Sequence, residues 1–396
     1  MAQSPRILIL GAGYAGVLAA LRLAGKAPTA QITLVNPGPY FVERIRLHQF
    51  LAHQPLAQHP LDRLLRGTGV QRIEGLATHI DSARRTVAIA SGGRITHLPY
   101  DYLIYALGSR GDAGGVPGAA EQAYSFDGTG RHNLTALRER LPLLRRLTVV
   151  GAGLTGIESV TELADRFPHL QLTLVNRGAV DADLSPKGRS YLRLTLAEMG
   201  IRLHEGVRVR KVNADDLTLD DDTTLAHDAC LWAAGFSVPQ LARTSGLCVN
   251  EAGQVRVDRW LRSLSHPEIY AAGDSAFIES SPLRMGCVTA MPQGAHAADN
   301  LAAHLNGHEA RPFAFAFTLR CISLGRGRGL IQWVGANDQP HERIITGRMG
   351  AVIKEMICRY TRYSPGLERR WPGLYIWPGR SRASDEPSAG GAHGVI

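Results

Sequence analysis

The chain has 396 residues, 44% of them hydrophobic and 20% charged, an ordinary globular composition with room for two or three domains. No apolar run approaches the roughly twenty residues of a membrane span, and the N-terminal residues enter a strand-like segment without a leader-type apolar stretch, so a cytoplasmic protein, bound at most to a membrane surface, is expected. A formal charge of +9 on dispersed arginines suits anionic small molecules better than nucleic acid, and five cysteines without C-x-x-C spacing argue against a metal site and against a redox pair adjacent in sequence.

The first element is "RILILGAGYAGVLAALRLAG": a buried apolar strand, a glycine turn and an Ala/Leu-rich helix. Gly11, Gly13 and Gly16 match G-x-G-x-x-G, and "ITLVNPG" follows as a second strand ending at Asn36. In such a frame Gly11 makes the tight turn, Gly13 lets backbone N–H groups reach a pyrophosphate, and Gly16 lets helix and strand approach. Next comes "FVERIRLHQF", charged residues among apolar ones, for which a solvated helix face is the plain reading. "LPYDYLIYALGSR" then reads as a strand delivering a turn at Gly108.

The opening unit recurs in "RLTVVGAGLTGIESVTELA", with Gly151, Gly153 and Gly156, and "LTLVNRGAV" repeats the second strand, ending at Asn176 and Arg177. Two dinucleotide sites are implied, one for a flavin and one for a nicotinamide. "CLWAAGFSVPQLA" reads as a closing strand of the second unit, and "HPEIYAAGDSAFI" as a strand ending in Gly273 and Asp274. Beyond Pro312 apolar runs and glycine turns suggest a small domain, followed by an amphipathic helix in "RMGAVIKEMICRYTRY" and a tail expected to be disordered.

These segments resemble the two-dinucleotide-binding-domain flavoproteins, the pyridine nucleotide-disulfide oxidoreductase superfamily, over roughly residues 5 to 310. The resemblance implies an α/β fold with two Rossmann-like domains and a small α+β C-terminal domain: an FAD domain in 1–112 and 245–310, an NAD(P)H domain in 113–244, a C-terminal domain in 311–380 and a tail in 381–396. It places FAD on Gly11, Gly13, Gly16, Asn36, Gly108, Gly273 and Asp274, and NAD(P)H on Gly151, Gly153, Gly156, Glu158, Asn176 and Arg177. Where the family commonly ends the second strand in an acid that takes ribose hydroxyls, this chain has asparagine twice. Asn176 with Arg177 beside it is expected to tolerate the 2′-phosphate of NADPH.

Disulfide reductases of the superfamily carry their redox cysteines at the position of "PYFVERIRLHQF", which contains none. Disulfide exchange by that route is excluded, and reduced flavin is expected to pass electrons directly to a diffusible acceptor. Among cysteine-free members, "TAMPQGAHAADNLAAHL" resembles the type II NADH dehydrogenases' A-Q-x-A-x-Q-[QE]-G-x-x-A-A-x-N segment, with Gln293, Gly294, Ala297, Ala298 and Asn300 in register but Cys287, Val288 and Pro292 departing. The expected function is hydride transfer from NAD(P)H to FAD, then electron transfer to a quinone or similar acceptor lying over Arg46, His48 and Gln293, with His48 as candidate proton donor. A dedicated small-molecule substrate and a flavin-bound redox sensor are the alternatives. The C-terminal helix is expected to meet its own core, a dimer partner or an anionic membrane surface.

Overall fold

The computed structural model describes residues 4–127, 133–180 and 182–380, so the expected tail at 381–396 lies outside the described residues. Five parallel strands form the first sheet, in the order Ile269–Ala271, Tyr102–Tyr105, Arg6–Leu10, Gln31–Asn36, Gln71–Glu74. Its strands carry near-continuous Ile, Leu and Val because both faces are covered: helix Tyr14–Lys26 and the antiparallel strands Leu76–Asp81 and Thr86–Ser91 contribute to the same core. Helices Tyr14–Lys26 and Cys287–Leu305 pack on each other across small side chains, Ala15 to Ala20 against Ala290 to Ala302.

A second five-stranded parallel sheet repeats the plan with Tyr124–Ser125, Ala229–Trp232, Arg146–Val150, Gln171–Asn176 and Arg202–Glu205. The strand read as closing the second unit, Ala229–Trp232, lies second in this sheet, between Tyr124–Ser125 and Arg146–Val150. The chain is therefore mixed α/β with two Rossmann-like cores. The first sheet draws Ile269–Ala271 from late in the chain, while the second is continuous in sequence.

The last part is an antiparallel sheet, Leu319–Ser323, Gly329–Val334 and Pro340–Thr346, followed by the 24-residue helix Gly347–Arg370. That helix is longer than the sequence pattern suggests and runs through Pro365. Gly350 lies so close to Gly329 that a Cβ would stand 2.4 Å from the Gly329 carbonyl oxygen, which fixes how near helix and strand approach. Among the described residues no helix is long and apolar enough to cross a membrane.

The helix is inverted relative to an ordinary amphipathic one. Its buried side chains are Cys358, Thr361, Ser364, Pro365 and Glu368, whereas Met349, Val352, Met356, Tyr360, Tyr363 and Leu367 are exposed. Lys354, which the sequence pattern places on the polar outer face, points inward with only 17% of its side chain accessible. Buried Arg22 explains part of this: its guanidinium donates to both Glu368 oxygens (2.6 and 3.0 Å), to Asp299 and to the Tyr375 carbonyl, clamping the helix end on the first unit.

Candidate active site

The two glycine turns are built alike. Gly11 and Gly151 have φ of +97° and +102°, and a Cβ on Gly16 or Gly156 would stand 1.9 or 1.8 Å from the carbonyl oxygen of the turn's first glycine. These four positions are demanded by the protein itself. Gly13 and Gly153 are not: their φ values are −79° and −66°, and a Cβ would meet nothing within 4 Å. Each is the N-cap of a 13-residue helix that has no side-chain cap and no acid in its first turn. The arrangement leaves N-terminal N–H groups and the positive helix end open to an anion, which fits a dinucleotide pyrophosphate at both turns.

Asn36 and Asn176 brace these turns. Asn36 Oδ1 accepts from the Ala12 N–H at 3.0 Å and its Nδ2 donates to the Gly38 carbonyl at 2.8 Å; Asn176 does the same with Ala152 at 3.0 Å and Gly178 at 2.9 Å. An aspartate could accept the first bond but would set a carboxylate against the carbonyl in the second, which is a physical reason for asparagine. Both amides are thus turn latches, where the sequence suggests ribose ligands.

Gly108 and Gly273 sit at strand ends with φ of +68° and +78°. Asp274 ties them together: it accepts from Ser109 Oγ at 2.7 Å and from the Gly286 N–H at 2.8 Å, each oxygen keeping a second lone pair. Gln293 Oε1 accepts from the Gly273 N–H at 3.0 Å. Helix Cys287–Leu305 begins six residues before Gln293, so Gln293 supports the turn with its side chain and does not mark a helix N-terminus.

The decapeptide forms a 3-10 turn, Arg44–Arg46, and a short helix, Leu47–Leu51, whose Leu47, Phe50 and Leu51 pack into the core of the second unit. Apart from Arg44, which is exposed and pairs with Asp127, its charges are not solvated. Arg46 donates to Glu43 at 3.0 Å and in bidentate fashion to Glu355 at 2.9 and 3.1 Å, while Glu43 also holds His59 at 2.6 Å. His48 is buried, its Nδ1 3.6 Å from Glu158 Oε2 and its Nε2 without a partner among the described residues. Glu158 pairs with Lys354 Nζ at 2.8 Å and accepts from the Ser323 N–H at 3.1 Å; Lys354 also donates to the Cys321 carbonyl at 3.1 Å. Decapeptide, second glycine-turn helix and C-terminal helix thus meet at one buried junction.

Electrostatics at this junction run against acid chemistry by His48. Burial, only partly offset by Glu158, lowers its pKa to about 4, so the ring is neutral at pH 7. Burial would raise the Glu158 carboxyl, yet Lys354 and His48 outweigh it and hold it below the usual range. Burial would likewise lower Lys354, but Glu158 beside it leaves the amine raised and firmly protonated. Burial pushes the Cys287 thiol to about 12 and Cys321 to about 11, which keeps both as thiols.

Arg46 and His48 are therefore gathered with Glu158 beside the C-terminal helix, while Gln293 is bonded to the Gly273 turn. Of the residues expected to form the acceptor platform, Arg46 is held in ion pairs, His48 is buried with its Nε2 unpartnered among the described residues, and Gln293 is bonded to the Gly273 N–H. Sequence reasoning missed Lys354 and Glu355; the apolar outward stripe around them is the signal that could have turned them inward. Beside the junction lies a cleft of about 480 Å³ whose walls include Gln49, Arg326, Val352, Lys354, Met356 and Cys358.

A histidine that is neutral when folded and titrates near 6.5 when unfolded binds protons preferentially in the unfolded state between those pKa values. Its contribution is intact above pH 6.5 and is lost as pH falls toward 4. His48 is expected to cost about 2 kcal/mol at pH 5 relative to pH 8. Urea melts of His48→Gln at the two pH values should show the pH-linked loss shrunk by about that amount; an unchanged difference would refute the burial argument.

The sequence model of the pyridine nucleotide-disulphide oxidoreductase family matches residues 5–299. The NADH dehydrogenase-like protein of Mycobacterium tuberculosis (strain CDC 1551 / Oshkosh) is 29% identical over 325 residues, 75% of this chain and 80% of that one. The type II NADH:quinone oxidoreductase of Staphylococcus haemolyticus is 28% identical over 402 residues, 90% of this chain and 95% of that one. In fold, the structure of NDH2 from Plasmodium falciparum in complex with NADH is similar with a TM-score of 0.76 at 15% identity, covering 94% of this chain and 99% of that chain.

Proposed function

The chain belongs to the pyridine nucleotide-disulphide oxidoreductase family, and from that membership we propose that it is an FAD-dependent NAD(P)H:quinone oxidoreductase. The observation that carries the reading is the doubled glycine turn, each with an open N-cap glycine, next to a flavin-edge segment that holds no thiol. FAD would rest on Gly11, Gly13, Gly16, Gly108, Gly273 and Asp274, and NAD(P)H on Gly151, Gly153 and Gly156. Sheet membership supports assigning 1–112 with 245–310 to the flavin domain, 113–244 to the nicotinamide domain and 311–380 to the C-terminal domain. When bound, the two cofactors supply hydride transfer from nicotinamide to flavin and onward passage of two electrons, which with two protons turn a quinone into a quinol.

The chain's own groups bind, orient and shield. The glycine turns would hold the two pyrophosphates through backbone N–H groups. Arg46, Glu355, Glu158 and Lys354 lock the C-terminal helix over the junction of the two units, which excludes water and holds the alignment on which hydride transfer depends. The cleft beside Lys354 is the acceptor's approach. Lys354 lines that cleft and keeps its proton, so it is no acid; its charge is largely balanced by Glu158 at 2.8 Å, and what it offers an acceptor is an oriented ammonium.

The outward stripe Met349, Val352, Met356, Tyr360, Tyr363 and Leu367, flanked by Arg348, Arg359, Arg362 and Arg369, suits an anionic membrane surface. Its steps of three and four residues average close to 3.6, which keeps the stripe straight, whereas a coiled-coil dimer wants 3.5. Anaerobic stopped flow of the yellow protein with NADPH and NADH, then with a short-chain quinone, tests the activity. Flavin bleaching within seconds and quinone reoxidation are expected; bleaching without reoxidation would favour a dedicated substrate, and no bleaching would overturn the oxidoreductase reading. Failure to sediment with phosphatidylglycerol vesicles would remove the membrane assignment.

A further inference from the structure

The internal duplication provides a control on nucleotide choice, because the two units share the asparagine latch but differ around it. In the first unit the latch is followed by Pro37, in the second by Arg177. Arg177 is exposed and makes no hydrogen bond or ion pair with any described residue. Each latch also faces a glutamate on the next strand: Asn36 pairs in register with Glu74, and Asn176 with Glu205.

Those glutamates are in different states. Glu74 is half exposed and meets a single arginine, Arg72, at 3.0 Å. Glu205 is three-quarters buried and fully engaged, accepting from both terminal nitrogens of Arg193 at 2.9 Å and from the Val180 N–H at 2.6 Å. From Asn176 to Val180 the sequence contains no acid. Around the second latch the glutamate is held in bidentate fashion by an arginine and a free guanidinium follows the asparagine; around the first the glutamate has one contact to an arginine and no guanidinium follows the asparagine.

Resting on the reading of the second unit as the nicotinamide site, we infer that this site selects the 2′-phosphorylated cofactor, NADPH over NADH, and that Arg177 is the specificity residue. The ribose edge of the nucleotide lies at the end of the second strand of a Rossmann unit, where a carboxylate takes the free hydroxyls and repels a phosphate. With Asn176 held as a latch and Glu205 paired with Arg193, neither of these two described groups offers a free carboxylate for that task. The planar guanidinium of Arg177 forms charge-assisted bonds to a phosphate dianion.

The test is calorimetric and needs no turnover. The FAD-loaded protein is titrated with adenosine 2′,5′-bisphosphate and with 5′-AMP in about 50 mM salt, as wild type, Arg177→Ala and Arg177→Glu. In the wild type the bisphosphate should bind at least about tenfold tighter. Arg177→Ala should remove most of that advantage without changing 5′-AMP, and Arg177→Glu should reverse it. Because Arg177 is exposed and neither hydrogen-bonds nor ion-pairs with any described residue, both variants should fold, which an unchanged melting temperature and FAD content verify. Raising salt to about 500 mM should narrow the wild-type gap, as an exposed charge contact requires. Equal affinity of the wild type for the two fragments, or an advantage that survives Arg177→Ala, overturns the inference while leaving the nicotinamide site standing. Binding of neither fragment overturns the site itself and the inference with it.

Discussion

Replacing Lys354 by methionine is expected to destabilise the protein by about 3–5 kcal/mol, the usual cost of leaving a buried charge without its partner. The charge left behind is Glu158, buried beside a histidine and the Ser323 N–H. Glu158→Gln in the same chain should restore most of the stability, because the pair would then be replaced by groups that need no counter-charge. A second signature goes with it: without Lys354 the Glu158 carboxylate acts on His48 alone, so the histidine should titrate well above its native value of about 4. Histidine NMR across pH 4–8 reads this directly. If the lysine also serves the acceptor, flavin reoxidation by quinone should fall more than tenfold in Lys354→Met and stay low in the stable double variant. Recovery of reoxidation together with stability would make Lys354 purely architectural.

How far this could be read from sequence depends on the range of each interaction. The two glycine turns were legible because strand, turn and helix are neighbours in the chain, and their steric demands are local: Gly16 answers to Gly11 and Gly156 to Gly151. The latch role of Asn36 and Asn176 was local too, yet hidden, since an asparagine at a strand end reads equally well as a ligand. The junction was not legible. Arg46 and Glu355 are 309 residues apart, and no periodicity couples them. Nor could the pattern of the C-terminal helix say which face turns inward. A hydrophobic period fixes a stripe, and the assumption that the stripe is buried fails here, where Met349, Val352, Met356 and Tyr360 are exposed. Buried Arg22, hidden in an otherwise apolar helix, was the counterpart clue that a charged inner face exists on the helix above it.

Gly13→Asp is expected to move stability and cofactor binding in opposite directions. Gly13 has an ordinary φ and an unobstructed Cβ direction, so an aspartate fits without strain. As an N-cap it can accept from the first-turn N–H groups and favours the positive helix end, so the FAD-free protein should gain a few tenths to about 1 kcal/mol. The same carboxylate occupies the donors a pyrophosphate would use and repels it, so FAD retention should fall more than a hundredfold and the protein should purify colourless. Gly153→Asp should repeat this at the second turn alone, leaving a yellow protein that NAD(P)H no longer bleaches. Gly16→Ala and Gly156→Ala are the contrast, since their Cβ atoms would stand within 2 Å of a carbonyl oxygen and must disrupt the fold itself. Apo-protein melts and flavin absorbance separate the two classes. A yellow Gly13→Asp protein, or one that loses stability as Gly16→Ala does, would mean that the open glycine is not there for a phosphate.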